Sequence, residues 1–213
     1  MAAMYLWPMQ SITLIIVLIT AAVSALAFQQ PDLMQKLQFN PYTIKRRNEW
    51  YRFVTHALLH ADWMHLIVNM LVLYSFGQST VYFFNLYLGQ SGTIVFIAMY
   101  VLAVVASSIS TYKKHKDHHW YNAVGASGAV SAVLFSHVLF SPLTKIYLYG
   151  ILPLPSLLWA ALYVGYSVWS SRNSNDNINH EAHLWGAIFG LLFTALTCQG
   201  VLQMFFHQIQ NIR

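Results

Sequence analysis

Four side chains in this sequence have the types and spacing to do chemistry together. Ser127 lies in Gly125-Ala126-Ser127-Gly128, His183 lies in Ala182-His183-Leu184-Trp185-Gly186, and His65 and Asn69 are four residues apart. A serine hydroxyl becomes a nucleophile once a base removes its proton. A neutral histidine can take that proton and later give it to a leaving amine. His65 and Asn69 would share one helix face. Two such donors can hold the charge that develops on a tetrahedral intermediate. The backbone N–H of Ser127, at a helix start, would have no acceptor within the helix and could be a third donor.

Each feature also has a plainer reading. Gly-Ala-Ser-Gly is the kind of small-residue run that lets helices pack closely in a membrane. It is not the elbow of soluble hydrolases, which would need glycine where Ala129 stands. His183 alone reads as a histidine at a membrane interface. Asn69 alone reads as hydrogen-bonding glue between helices. The acidic residues are Asp32, Glu49, Asp62, Asp117, Asp176 and Glu181, and none falls inside an apolar span. Glu181 precedes His183 by two positions and so faces away on a helix. The expected arrangement is therefore a Ser–His dyad without an acid. Ser131, one turn below Ser127, is the neutral candidate for orienting the base.

The elements that must position these groups follow from composition. Only 8% of the 213 residues are charged and 57% are hydrophobic, with a formal net charge of +5. A soluble domain carries about a quarter charged residues, so lipid is the expected solvent. No basic helix face suggests nucleic acid. Cys198 is the only cysteine, which rules out an internal disulfide. One domain over 1–213 is expected, with six apolar segments at 11–28, 62–80, 92–110, 124–141, 151–170 and 181–200. Each approaches the ~20 residues of a spanning helix. In lipid such segments are helical, because the backbone must satisfy its own hydrogen bonds. The fold class is an all-α, six-helix polytopic bundle. The first segment exceeds a signal-peptide core, and no Lys or Arg precedes it, so a retained helix is expected. The first loop, 29–61, is long and partly apolar, and is expected to fold against the membrane.

Loop parity carries further information. Loops one, three and five share a side, so the N-terminal ends of the second, fourth and sixth helices do too. His60, His65 and Asn69 lie at the first of these ends, Ser127 at the next, and His180 and His183 at the last. Polar groups inside a membrane are expensive and usually mark function. On the sixth helix His183, Gly186, Ala187 and Gly190 fall on one face, and the two glycines would let a neighbouring backbone approach.

Together these residues resemble the rhomboid family of intramembrane serine proteases. Three motifs occur in family order: His60-Ala61-Asp62-Trp63-Met64-His65-Leu66-Ile67-Val68-Asn69, Gly125-Ala126-Ser127-Gly128, and Ala182-His183 with Gly186 and Gly190. The stretch 51–60, with Arg52, resembles the family's first-loop segment. The resemblance implies Ser127 as nucleophile, His183 as base, and an oxyanion hole of His65, Asn69 and the Ser127 amide. It implies transmembrane protein substrates cleaved from a water-filled cavity on the extracytoplasmic side, with the fifth helix and loop as gate and cap. No cofactor or metal is implied, and lipid is the other partner. A multi-pass protein of a bacterial cell membrane is the expectation.

Two positions depart from the family pattern. Tyr51 stands where Trp is usual, and Ser131 where a Tyr often packs on the base. What holds His183 is therefore open. Family topology also puts loops one, three and five outside, although they hold nearly all the Lys and Arg, against the positive-inside tendency. The family topology is the expectation adopted.

Rival readings are a non-catalytic rhomboid-like chaperone or adaptor, and an intramembrane metalloenzyme. His180-Glu181-Ala182-His183 is one residue short of the i, i+4 zinc spacing. His56 and His60 have that spacing but lack the adjacent Glu, and His115, His118 and His119 sit in a polar loop. A channel or transporter lacks paired interrupted helices.

Overall fold

The computed structural model describes residues 2–148, 152–173 and 179–211. Its helices in chain order are α1 (Ala2–Gln29), α2 (Pro31–Leu37), α3 (Pro41–Arg47), α4 (Arg52–Thr55), α5 (Trp63–Leu88) and α6 (Gly92–His115). Then come α7 (Ser127–Phe140), a hairpin of β1 (Lys145–Leu148) and β2 (Leu152–Pro155), α8 (Ser156–Asn173), α9 (His180–Thr197) and α10 (Val201–Gln210). The fold is all-α apart from that hairpin.

Every expected apolar segment contains a helix, with shifted ends. The fifth begins at Ser156 and not at 151, because Leu152–Pro155 is a strand antiparallel to Lys145–Leu148. Pro153 and Pro155 account for this: proline lacks the N–H a helix needs but is tolerated on an edge strand. The fourth begins at Ser127, three residues late. The second and third run on to Leu88 and His115. Helix α10 was not foreseen; it turns off α9 by 109°.

Ile12–Gln29 and Trp63–His115 are long and apolar enough to cross a membrane, and the latter is two helices reversed at Gly89–Ser91. Their outward faces are apolar: Leu18, Met64, Leu71 and Ile94 are all more than half exposed. Together these features make the chain an integral membrane protein, with lipid covering what water would not.

Helix α7 is the core. All its residues after Ser127 are buried, among α5, α6 and α9. Its 14 residues span about 21 Å, short of the ~30 Å hydrocarbon layer.

Loop one is ordered by its own short helices. Arg52 is 7% exposed; its Nε donates to Glu49 at 2.6 Å and its Nη1 to the carbonyls of Gln35 and Gln38 at 2.8 Å each. The Arg52 guanidinium holds the Glu49 carboxyl below its usual range. Loop one is joined to loop three by Lys45–Asp117 at 2.6 Å, by Asn40 Nδ2 donating to Asn122 at 2.9 Å, and by a bridge between Phe39 and Ala123. The start of α9 is tied to the end of α6 by Ser110–Glu181 and by Asn179 Nδ2 donating to Thr111 at 2.9 Å. Loops one and three and the N-termini of α7 and α9 thus share one face. Of the expected fifth loop, 174–178 lies outside the described residues.

Candidate active site

Ser127 opens α7, and the turn that delivers it requires glycine. Gly125 has φ of +125°, a conformation side chains rarely adopt. A Cβ there would also lie 2.9 Å from His65 Cε1 and 3.1 Å from its Nε2. The same position is 3.8 Å from Ser127 Oγ. The imidazole of His65 and the hydroxyl of Ser127 therefore flank one backbone spot. Gly125 is anchored in turn by its N–H, which donates to the His56 carbonyl at 3.0 Å.

Helix α5 presents His65 from its first turn. Asp62 caps the helix by accepting the His65 N–H at 2.8 Å. Ala61 N–H points at His65 Nδ1 at 3.5 Å, a long contact that favours Nδ1 as acceptor and the proton on Nε2. That tautomer aims a donor toward Gly125 and Ser127. Asn69 is buried one turn below and donates one amide hydrogen to the His65 carbonyl at 2.9 Å, leaving a second. His60 stands edge-on to His65, ring centroids 4.9 Å apart, with Nδ1 3.0 Å from Ser24 Oγ of α1.

Helix α9 brings His183. Asn179 caps it, accepting the Ala182 N–H at 3.0 Å. A Cβ on Gly186 would collide with the Gly128 carbonyl, and one on Gly190 with the Ala132 carbonyl. A Cβ on Gly128 would lie 3.4 Å from the Ala182 carbonyl. The backbones of α7 and α9 touch along two turns. The residues that follow Ser127 and precede His183 are neighbours across that seam.

Tyr163 of α8 supplies an aromatic over the histidine. Its ring is stacked on that of His183, centroids 5.9 Å apart and planes 23° apart. Its hydroxyl is 2.7 Å from Ser131 Oγ, which also donates to the Ser127 carbonyl at 2.8 Å. Ser131 therefore binds Tyr163 and the backbone of its own helix.

The sequence-derived residues fall into two groups. Ser127, Gly125, Gly128, His65, Asn69, His183, Gly186 and Gly190 lie along the converging ends of α5, α7 and α9. Arg52 lies apart, inside loop one. His60 is at the edge, beneath α1. Sequence reasoning missed Tyr163, which sits among similar aromatics in an apolar run, and Asn179, whose cap signature was read as loop. It also left His56 unassigned; its Nε2 is 3.1 Å from Ser108 Oγ of α6. Burial pushes His56 down to about 4 and His60 to about 3, His65 adding to the latter, so both are neutral at pH 7.

Residues 47–200 match the Rhomboid domain family, nearly three quarters of the chain. The chain belongs to the rhomboid family. It is 31% identical over 154 residues to "Putative rhomboid protease YdcA" of Bacillus subtilis, covering 71% of this chain and 69% of that one. It is 29% identical over 165 residues to RHOMBOID-like protein 12, mitochondrial, of Arabidopsis thaliana, covering 72% of this chain and 49% of that one. Rhomboid protein 1, mitochondrial, of Saccharomyces cerevisiae is 29% identical over 150 residues, 64% of this chain and 39% of its own length. The chain thus spans about half or less of the two mitochondrial relatives. The rhomboid match begins at the end of α3 and closes after α9, so it takes in His65, Asn69, Ser127, Tyr163 and His183, while α1, α2, nearly all of α3 and α10 lie outside it.

Proposed function

We propose that this rhomboid is an intramembrane serine endopeptidase, with six spanning segments, that cleaves transmembrane protein substrates through a Ser127–His183 dyad. The observation that carries this reading is the seam where Gly128 meets Gly186, which draws the start of α7 against the start of α9 while His65 faces Gly125 and Ser127 from α5. These contacts support a site in which the elements carrying three sequence-distant polar groups converge at one end of an apolar bundle.

In this mechanism His183 takes the proton of Ser127 Oγ as the oxygen attacks the scissile carbonyl. The new oxyanion faces His65 Nε2–H, the free amide hydrogen of Asn69 and the Ser127 N–H. The carbon–nitrogen bond then breaks, and His183 gives its proton to the leaving amine. Water, deprotonated by His183, attacks the acyl-serine and regenerates the hydroxyl.

The metal reading draws no support from the His56–His60 pair. These rings turn to different partners, Ser108 and Ser24. For orientation, the engagement of Arg52 with Glu49 and of Lys45 with Asp117 gives loop-one cations a structural role. That role supports placing loops one, three and five outside despite their charge, with α8 and the fifth loop as the substrate's way in. We place the protein in a bacterial cell membrane; of the three relatives named, the Bacillus one is matched over more than two thirds of its length.

A fluorophosphonate probe tests the reading in detergent. Wild type should be labelled at Ser127, and Ser127→Ala and His183→Ala should not. Failure to label a folded wild type would favour a non-catalytic adaptor.

A further inference from the structure

We infer that Tyr163 is the positioning residue for the general base, holding the His183 ring from a neighbouring helix. The inference rests on the protease reading. The sequence reading gives a dyad without an acid, and Glu181, the acidic residue nearest His183 in the chain, is engaged with Ser110 at the α6–α9 junction. A base that is free to rotate spends little time aimed at its serine, and small misplacements of a catalytic group are costly.

Tyr163 answers that need with two contacts. Its ring lies nearly parallel to His183 at 5.9 Å, which restricts rotation of the imidazole. Its hydroxyl, 2.7 Å from Ser131 Oγ, prevents the tyrosine itself from turning. Ser131 in turn donates to the Ser127 carbonyl, so base and nucleophile are referenced to the same turn of α7. Ser131 is 3% exposed, and a larger side chain there would compete with Tyr163 for one space. The serine at 131 and the tyrosine at 163 therefore form one device, split across two helices. Because Tyr163 stands on α8, displacing α8 from α7 takes the ring off the base.

Two variants and one exchange test the assignment in the full chain. Tyr163→Ala should lower kcat about 10²-fold with little change in KM, the signature of a misplaced catalytic group. Tyr163→Phe keeps the stack and loses one hydrogen bond, so it should lose only about 5-fold. Adding Ser131→Tyr to Tyr163→Ala should restore much of the rate. A side chain at 131 on α7 leans toward the helix N-terminus, and so toward Ser127 and His183. A structural defect would not be rescued in this way.

NMR of ring-labelled histidine supplies a readout that needs no activity, with His183→Gln as the assignment control. The wild-type His183 ring should be shifted by the Tyr163 ring current, the shift persisting in Tyr163→Phe and vanishing in Tyr163→Ala. A wild type without that shift overturns the inference, as does Tyr163→Ala cleaving at the wild-type rate or no rescue by Ser131→Tyr. A wild type that shows the shift but cleaves nothing overturns the protease reading instead, and leaves the base no reaction to be positioned for.

Discussion

The carbonyl of Gly128 occupies the place where a side chain on Gly186 would stand. This contact sets the distance between α7 and α9, and with it the distance between their first turns. Gly190 repeats it one turn on, against Ala132.

Gly186→Ala should therefore force the helices apart and destabilise the bundle by about 1–3 kcal/mol, the usual cost of overpacking. Activity should fall further than stability, because Ser127 and His183 separate. Gly165→Ala is the control. A Cβ there meets nothing within 4 Å, and alanine is the better helix former. Thermal midpoints in detergent should drop for the first variant and hold or rise for the second.

Stability should fall with acid on the loop-one side. His56 is neutral when folded, its pKa pushed to about 4 by burial, against an ordinary value of 6.5. The unfolded chain binds the proton first, so stability is full above about pH 6.5 and is lost as pH falls toward 4. The shift corresponds to about 3 kcal/mol. Unfolding midpoints at pH 7.5 and pH 5 should differ in wild type and differ less in His56→Gln. A flat wild-type profile would contradict the burial argument.

Loop one should depend on Arg52 for its shape and not for chemistry. Removing it strands Glu49 and the carbonyls of Gln35 and Gln38, so Arg52→Ala should cost about 3–5 kcal/mol. Arg52→Lys loses the forked geometry and should be intermediate. Limited proteolysis should cut loop one faster in both. Equal proteolysis of all three proteins would remove Arg52 from the account.

His65 should act on the transition state. His65→Ala should lower kcat about 10²–10³-fold with KM little changed, as for loss of an oxyanion donor. Asn69→Ala should lose less, since one of its amide hydrogens is already committed to the His65 carbonyl. A raised KM at constant kcat would reassign His65 to substrate binding.

Much of this was legible in the residue string because membrane proteins write their constraints plainly. Apolar run length located a helix in each of the six expected segments. Loop parity put Ser127, His65 and His183 toward one face. The glycines at 186 and 190 announced a close contact by their spacing alone. What could not be read depended on three-dimensional partners. The fifth segment was expected to be helical from 151, yet Pro153 and Pro155, which lack the N–H a helix needs, lie in a strand that precedes it. Arg52 was legible only as part of a first-loop resemblance, and its guanidinium faces two loop-one carbonyls that no spacing rule points to. Tyr163 was invisible: it is one tyrosine among many, and only the packing of α8 sets it over His183. The question raised by Ser131 was visible in sequence, and its answer was 32 residues away.

The central claim is that Ser127 and His183 break a peptide bond in the membrane. Purified wild type, Ser127→Ala and His183→Ala should each be given a reporter transmembrane substrate in liposomes. Wild type should give a cleaved product and neither variant should, with all three equally folded. Equal cleavage by the three proteins, or none by a folded wild type, would contradict the claim.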